Sequence, residues 1–199
     1  MFTSVILGAG KSTRMKANKS KLLFNIAGKP VINHILSSLK AAKAKHNICV
    51  INNSSAELKK ILQAEKISFA YQKILDGTAG AVKAALKSKK NSNSKILILC
   101  GDVPFITSSS IKKLVAKLKN HDAVVGTVEL ESPKGYGRIV RVNNKFSSIV
   151  EEKETTPDER QIREVNTGII AIQENVLRKY ISLIKNNNQK KEYYLTDII

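Results

Sequence analysis

A glycine-rich turn followed by basic residues lies near the start of the chain. Gly8, Ala9 and Gly10 come directly after a short apolar run, and Arg14 and Lys21 follow them. Glycines let a backbone approach a ligand closely, and unpaired N–H groups at such a turn can donate to phosphate oxygens. Arginine can bind phosphate through two parallel hydrogen bonds, whereas lysine supplies a mobile point charge. The pattern is therefore suited to a polyphosphate.

The spacing of this turn excludes two common phosphate loops. The sequence contains no GxxxxGK[ST] segment, and the third glycine of a dinucleotide fingerprint is absent after Gly10. A tight strand-to-helix turn with solvated lysines is the alternative interpretation. The spacing alone leaves both interpretations open.

A carboxylate follows another apolar run, ILILCG, at Asp102. Ligands of α/β proteins bind at the carboxyl ends of the strands, so Asp102 and the glycine-rich turn are expected at the same edge. Mg²⁺ prefers hard oxygen ligands and often takes only one or two carboxylates together with substrate phosphates. Asp102 is therefore a candidate Mg²⁺ ligand, although it could instead cap the turn that contains Pro104.

A third candidate segment is QKILDGTAG, from Gln72 to Gly80. The amide of Gln72 offers a donor and an acceptor to a pyrimidine edge, and Gly77 and Thr78 could contact a base or ribose through backbone groups. The alternative is an ordinary loop before a helix that Thr78 caps. The segment alone favours that alternative.

Strand-like and helix-like patterns alternate along the chain. The early apolar runs predict strands, the amphipathic stretches between them predict helices, and a hairpin with an Asn143-Asn144 turn follows. We therefore predict an α/β fold with a mostly parallel sheet flanked by helices and a β-hairpin insertion. The predicted strands are 1–7, 46–53, 67–72, 96–99, 122–130, 138–142, 146–150 and 166–173, and the helices are 30–43, 54–66, 81–90, 108–122 and 174–189.

The composition is strongly basic, with a net charge of +18 from 34 basic and 16 acidic residues. Such a charge can indicate nucleic acid or an anionic membrane as a partner. The lysines are spread through helix faces and loops, tryptophan is absent and aromatics total 5%. Stacking platforms for single strands are therefore scarce, and we expect no specific nucleic-acid partner.

Other residue types favour a cytoplasmic protein without a built-in metal cluster. Cys49 and Cys100 lie near the ends of apolar runs and are predicted to be free thiols. The three histidines show no ligand spacing, and His34 fits a structural role within a helix. No apolar run approaches the roughly 18 residues of a membrane helix, and the start does not resemble a signal peptide, so we expect no membrane partner.

Several motifs together resemble the sugar-nucleotide pyrophosphorylases. They are LGAGKSTRM followed by Lys21, then AGKPVINHI, GYGRIVR, IVEEK, REVNTGI and EYYLTD. Within that group the chain is most similar to the N-terminal uridylyltransferase domain of the bacterial bifunctional enzymes that make UDP-N-acetylglucosamine. The resemblance covers essentially the whole chain and implies a Rossmann-like nucleotide-diphospho-sugar transferase fold.

The resemblance also implies roles for individual residues. Glu151 can accept hydrogen bonds from sugar hydroxyls, and the Asn166 amide can both donate and accept. Without the resemblance, Glu151 would be interpreted as a solvated charge at a strand end and Asn166 as a turn residue. Catalysis is implied for Arg14 and Lys21, and Mg²⁺ binding for Asp102. The implied nucleotide-binding residues are Leu7, Gly8, Ala9, Gly10, Lys21, Gln72, Gly77 and Thr78, and the implied sugar-binding residues are Gly137, Glu151 and Asn166.

The chain departs from that family at three positions and at its end. Ser12 replaces a usual glycine, Ser20 a usual proline, and Cys100 a bulkier residue, often tyrosine. The family domain continues for some tens of residues, which include a second magnesium ligand, before a β-helix acetyltransferase domain. We therefore expect one nucleotidyltransferase domain, 1–199, without its C-terminal end, for which a partner chain or a second copy could supply the missing ligand.

The reaction that the resemblance implies joins UTP and N-acetylglucosamine 1-phosphate to give UDP-N-acetylglucosamine and pyrophosphate. Three alternatives remain open at this point. The chain could be a related nucleotidyltransferase for another sugar or base, an inactive sugar-nucleotide-binding relic, or a nucleic-acid-binding protein.

Overall fold

The computed structural model describes residues 1–10, 20–52 and 56–199. Ser12 and Arg14 lie outside the described residues, as do Ser54 and Ser55 at the start of the helix predicted over 54–66. The strands are β1 (Phe2–Leu7), β2 (Asn25–Ile26), β3 (Lys29–Pro30), β4 (His46–Ile51), β5 (Ser68–Tyr71), β6 (Lys95–Cys100), β7 (Ala123–Glu129), β8 (Arg138–Val142), β9 (Lys145–Val150) and β10 (Glu164–Gln173). The α-helices are α1 (Val31–Ala41), α2 (Ala56–Ala64), α3 (Thr78–Lys87), α4 (Ser108–Lys117) and α5 (Glu174–Tyr180).

Eight strands form one mixed sheet in the order β5-β4-β1-β6-β10-β8-β9, with β7 paired to β10. β5, β4, β1 and β6 are parallel, and they are the half of the sheet that leads into the glycine-rich turn and Asp102. β10 joins this half antiparallel to β6, and β8 and β9 form the predicted hairpin. The predicted α/β fold is confirmed.

The parallel strands are largely apolar because both faces of the sheet are covered. The polar Ser4 of β1 is also buried, and its Oγ donates to Asn47 Oδ1 at 2.6 Å. On β1, Ile6 packs into a core shared with α1, α2 and α4, whereas its neighbour Val5 packs into a core shared with α3 and α5. Both side chains are at most 1% exposed. These two helical layers leave the carboxyl ends of the parallel strands as an open edge.

The hairpin turn was predicted correctly, and the last helix was predicted too long. Asn143 and Asn144 have φ angles of 49° and 61°, as a tight two-residue hairpin turn requires. The helix predicted over 174–189 ends at Tyr180. The apolar periodicity continues beyond this end, where Ile181 and Ile184 are buried. Farther along, Asn188 Nδ2 donates to Glu192 O at 2.6 Å and its Oδ1 accepts from Glu192 N at 3.2 Å.

No helix among the described residues is long and apolar enough to cross a membrane.

A buried carboxylate joins α5 to the loop before β6. The Glu174 side chain is fully buried, and it pairs with Lys89 Nζ at 2.8 Å and with Arg178 at 2.9 Å. Ser94 Oγ donates to the same carboxylate at 2.8 Å. Burial alone would raise the pKa of Glu174, but these hydrogen bonds outweigh burial and lower it to about 2.

We predict that Glu174→Gln destabilises the fold by about 3 kcal/mol at neutral pH, since the lowered pKa corresponds to about 1.4 kcal/mol per unit. The stabilisation from a carboxyl with a lowered pKa is present above its unfolded value and is lost as the pH falls toward about 2. We would measure urea unfolding of the parent and of Glu174→Gln between pH 7 and pH 2. The difference between their free energies of unfolding should become smaller as the pH falls. The matched control is Glu131→Gln, which changes an exposed residue. A difference in the free energy of unfolding that does not vary with pH would contradict the lowered pKa of Glu174.

Candidate active site

A pocket of about 430 Å³ opens at the carboxyl edge of the parallel strands. It is formed where the ends of β1 and β6 meet the loop before α3 and the segment after α5. Its lining residues are Leu7, Ala9, Gly10, Lys21, Gln72, Leu75, Gly77, Thr78, Ala81, Cys100, Asp102 and Glu192. The structure thus brings together eight of the residues proposed for nucleotide or metal binding, although more than 90 positions separate Leu7 from Asp102 along the chain.

Gly8 is the residue of the glycine-rich turn that the structure does not place in the pocket lining. Its N–H donates to Val50 O at 2.9 Å and is therefore not available to a phosphate. A Cβ at Gly8 would lie 2.6 Å from Leu22 Cδ1. This glycine allows close packing beneath the pocket, while Ala9 and Gly10 form the surface that a ligand can meet.

Lys21 and Asp102 form an ion pair inside the pocket, with Lys21 Nζ 2.5 Å from Asp102 Oδ2. The side chains are 26% and 49% exposed, so a ligand can reach both. Lys21 begins a short 3₁₀ turn, Lys21–Leu23, whose other residues are buried. Ser20, where the family usually has proline, accepts from Leu22 N at 3.4 Å and caps this turn.

Gln72 is almost fully buried at the bottom of the loop that leads to α3. Its Nε2 donates to Asp76 Oδ1 at 3.1 Å and to Gly77 O at 3.0 Å. The donor half of the amide is thereby engaged in shaping the loop. Recognition of a base by this residue would therefore use its oxygen as an acceptor.

The interpretation of Thr78 as a helix cap was wrong. Gly77 is the N-cap of α3, without a side-chain cap hydrogen bond, and Thr78 Oγ1 instead accepts from Leu195 N at 2.8 Å. Tyr193 lies across the same loop, since its N–H donates to Asp76 O at 2.7 Å and its carbonyl accepts from Ala79 N at 3.0 Å. The segment 192–197, which we call the C-terminal strap, therefore holds the loop before α3 in place through hydrogen bonds.

The strap is the part of the site that the residue patterns did not assign. Its motif, EYYLTD, was part of the family resemblance but suggested no role. Besides pinning the loop, Thr196 Oγ1 donates to Glu151 Oε1 at 3.0 Å. Glu192, the first strap residue, lines the pocket. The strap thus contacts both the loop before α3 and Glu151.

The structure places Gly137, Glu151 and Asn166, the residues that the resemblance assigns to the sugar, close together. Asn166 N donates to Gly137 O at 2.8 Å, and a Cβ at Gly137 would lie 3.7 Å from Glu151 Cδ. Asn166 Oδ1 accepts from Gly168 N at 2.9 Å, and a Cβ at Gly168 would lie 3.0 Å from Cys100 Sγ. Because Cys100 lines the pocket, this group borders the pocket.

Neighbouring groups shift the pKa of the Glu151 carboxyl in opposite directions. Burial raises the pKa of its carboxyl, and the hydrogen bond from Thr196 and the charge of Lys190 lower it. Asp197 and Glu192 raise it further, and the pKa lies above its usual value on balance. Glu151 also lines a second recess of about 520 Å³, together with Tyr194 and Asp197.

Sequence comparison identifies the family of this chain. The MobA-like NTP transferase domain matches residues 4–161. The chain belongs to this family. The matched range contains every residue of the pocket except Glu192, so the MobA-like NTP transferase domain accounts for nearly the whole candidate site.

Curated relatives support the same assignment. The bifunctional protein GlmU of Francisella tularensis subsp. novicida (strain U112) is 43% identical over 198 residues, which is 98% of this chain and 43% of the relative. The GlmU protein of F. tularensis subsp. tularensis (strain WY96-3418) gives the same values. The chain therefore spans less than half the length of these relatives. The resemblance to bifunctional enzymes is confirmed.

Solved structures show the same fold. A putative glucose-1-phosphate thymidylyltransferase from Bacillus anthracis superposes with a TM-score of 0.80 at 21% identity, covering 100% of this chain and 81% of the other. A UDP-glucose pyrophosphorylase complexed with UDP-glucose superposes with a TM-score of 0.75 at 17% identity, covering 100% and 85%. The chain therefore shares its fold with these two proteins.

We predict that Gly77→Ala strongly destabilises the loop before α3. The φ angle of Gly77 is +115°, and a Cβ there would lie 2.5 Å from Tyr193 O and 2.8 Å from Tyr193 N. Backbone strain at such a φ costs about 1–3 kcal/mol, and the clash with the strap adds to it. Thermal unfolding should show a clear loss of stability.

Gly28→Ala is the matched control because Gly28 has a φ of +77° but no atom within 4 Å of an added Cβ. It should show the strain without the clash, and hence a smaller loss of stability. Equal losses for the two variants would mean that the strap does not constrain Gly77.

Proposed function

We propose that this chain is a nucleotidyltransferase that converts UTP and N-acetylglucosamine 1-phosphate to UDP-N-acetylglucosamine and pyrophosphate. The observation that supports this most directly is the shared pocket. It joins the Lys21–Asp102 pair to the loop of Gln72, Gly77 and Thr78. The group of Glu151 and Asn166 borders that pocket, as a sugar site requires. Similarity to GlmU proteins favours this substrate pair within the NTP transferase family.

The nucleotide would lie along the carboxyl edge of the parallel strands. Ala9 and Gly10 would face the phosphates, and Lys21 would supply positive charge to them. Arg14, which precedes Lys21 in the same sequence motif, is proposed as the second cation on the transferring phosphate. The Gln72 oxygen and the backbone at Gly77 and Thr78 would contact the uracil edge.

The sugar would lie between the hairpin and β10. Glu151, as a carboxylate, would accept hydrogen bonds from sugar hydroxyls, and Asn166 could both donate and accept. Gly137 leaves room beside Glu151 that a larger residue would fill. The Asn166 oxygen already accepts from Gly168 N, which fixes the orientation of its amide.

The chemistry is an in-line substitution at phosphorus. An oxygen of the sugar phosphate forms a bond to the α-phosphorus of UTP, the bond from that phosphorus to the bridging oxygen breaks, and pyrophosphate leaves with the electron pair. The attacking phosphate oxygen is already ionised, so no proton transfer by the protein is needed. Catalysis would depend on positioning and on neutralising charge, which are the roles of Lys21 and Arg14.

Mg²⁺ is the proposed cofactor, and the residues present fit it. Asp102 offers a half-exposed carboxylate in the pocket, next to where the phosphates would lie. Within the described ranges no three His, Cys, Asp or Glu side chains form a metal cluster. Asp102 and the substrate phosphates would both be ligands of the ion, which is the arrangement that Mg²⁺ favours. When bound, it would polarise the α-phosphate.

The direct test is pyrophosphate release from UTP and N-acetylglucosamine 1-phosphate with Mg²⁺, by purified protein of this length. Turnover that stops in EDTA is expected. The same assay with the other nucleoside triphosphates, and with glucose 1-phosphate as the sugar phosphate, measures the specificity. Faster turnover of another substrate pair would change the proposed substrates. Absence of both turnover and UTP binding would refute the proposed function. As an enzyme that uses UTP, it is proposed to work in the cytoplasm.

We predict that Asp102→Asn lowers kcat at least about a hundredfold, since charge stabilisation by a bound metal is worth several kcal/mol. The Mg²⁺ concentration needed for half-maximal rate should also rise. Asp122→Asn, an exposed change at the opposite end of the sheet, is the control and should leave both values unchanged. Unaltered Mg²⁺ dependence in Asp102→Asn would remove Asp102 from the metal site.

We predict that Thr196→Val moves the acid limb of the sugar-phosphate kcat/KM profile to higher pH. The Thr196 hydrogen bond lowers the pKa of Glu151, so its loss raises that pKa. Glu151 must be ionised to accept from sugar hydroxyls, and this state would then be reached only at higher pH. The profile with UTP as the varied substrate is the internal control. An unchanged acid limb would show that Glu151 does not titrate in sugar binding.

A further inference from the structure

Many lysines that are scattered in the sequence meet on one face of the structure. α1, α2, α3 and α4 each follow a parallel strand and run back to the edge where the strands begin, opposite the pocket. Lysines at and beyond their C-terminal ends therefore collect there. We call this the amino-edge face. Its exposed lysines are Lys40, Lys43, Lys45, Lys66, Lys87, Lys90, Lys117 and Lys119.

Negative charge is scarce on the amino-edge face. Of the sixteen acidic residues of the chain, only Glu65, Asp122 and Glu174 lie at this edge, and Glu174 is buried and paired with Lys89 and Arg178. None of the eight lysines forms an ion pair with another described residue. The face therefore has a large uncompensated positive charge.

Helix stabilisation explains only some of these lysines. Lys40, Lys87 and Lys117 lie in the last turns of their helices, where a cation interacts favourably with the helix dipole. The other five lie beyond the helix ends.

Lys43 and Lys66 even occupy positions that favour glycine. Their φ angles are 63° and 56°, and the hydrogen bonds from Ala44 N to Leu39 O and from Ile67 N to Leu62 O close the helix ends around them. Glycine is the usual residue at such a helix end because a side chain disfavours a positive φ. Lysine at both positions is thus unfavourable for folding, which points to a use for the charge.

The amino-edge face also contains a recess of about 570 Å³ between the starts of β4 and β5 and the end of α3. Hydroxyl and basic side chains line it, among them His46, Ser68, Ser88 and Lys90. Hydroxyls and ammonium groups are typical ligands of a phosphate group.

We propose that the amino-edge face binds the phosphate backbone of duplex nucleic acid without sequence preference. Binding to duplex phosphates needs only suitably spaced cations, and this face provides them. Single-strand binding needs aromatic stacking and membrane insertion needs apolar anchors. The exposed Phe and Tyr side chains among the described residues lie elsewhere; they are Tyr71, Phe105, Tyr136, Phe146 and Tyr180. Met1, just before β1, is an exposed apolar side chain at this edge, and a single such side chain is a weak membrane anchor.

The test is fluorescence anisotropy of short labelled duplexes, one DNA and one RNA, titrated with the full chain over a range of salt. Binding that persists near 0.15 M salt is expected, with the logarithm of the binding constant falling by about 0.9 per phosphate contacted. The two duplexes show which form is preferred. Absence of binding at this salt, or tighter binding to phosphatidylserine vesicles or to single strands than to duplexes, would overturn the proposal.

The variant K40Q/K43Q/K117Q/K119Q should weaken duplex binding at least about tenfold, because four phosphate contacts are removed. The control K60Q/K112Q/K113Q/K145Q removes the same charge from exposed positions away from the face and should weaken it much less. Equal effects would show that only net charge matters and that no binding face exists.

The variant K43G/K66G distinguishes the effect of these two lysines on duplex binding from their effect on the stability of the fold. Glycine relieves the positive φ at both helix ends, so the midpoint of urea unfolding should rise while duplex affinity falls. A variant that is more stable and binds duplex as tightly as the parent would exclude the two lysines from the face. Nucleotidyl transfer should be unchanged, since neither residue lies near the pocket.

Discussion

The close packing of Leu22 between two glycines is the contact on which the candidate site depends. A Cβ at Gly8 would lie 2.6 Å from Leu22 Cδ1, and a Cβ at Gly101 would lie 2.5 Å from Leu22 Cδ2. Leu22 is fully buried and directly follows Lys21. Because β1 and β6 end in glycines here, the turn that presents Lys21 fits against both strand ends. The position of Lys21 beside Asp102 is therefore set by apolar packing beneath the pocket.

The C-terminal strap applies a second constraint from the other side. Tyr193 and Leu195 hold the loop of Gly77 and Thr78 through backbone hydrogen bonds, and Thr196 donates to Glu151. Movement of the loop before α3 would therefore disturb Glu151 as well. In the proposed reaction, such a rigid connection would favour correct alignment of the two substrates, which is the main requirement when catalysis depends on positioning.

Local patterns predicted most of the fold because they report burial directly. The largely apolar runs at 1–7 and 96–99 predicted strands covered on both faces. The shared carboxyl edge of such strands placed Asp102 near the glycine-rich turn. The patterns could not reveal that Gly8 serves packing or that Thr78 binds Leu195, since the partner of Thr78 lies 117 residues away. The early end of α5 was missed because the apolar periodicity continues past it, with Ile181 and Ile184 buried outside the helix.

The same limitation applied to the net charge of +18. Lysines separated along the chain looked scattered, and only the parallel topology shows that helix ends gather them at one edge. That edge is about 20 Å from the pocket, given six residues in β1 and about 3.3 Å per residue. The Debye length at physiological salt is about 8 Å, so these charges are largely screened from the proposed substrate UTP in the pocket. Attraction of the substrate therefore does not explain them, and a separate anionic partner at the amino-edge face does.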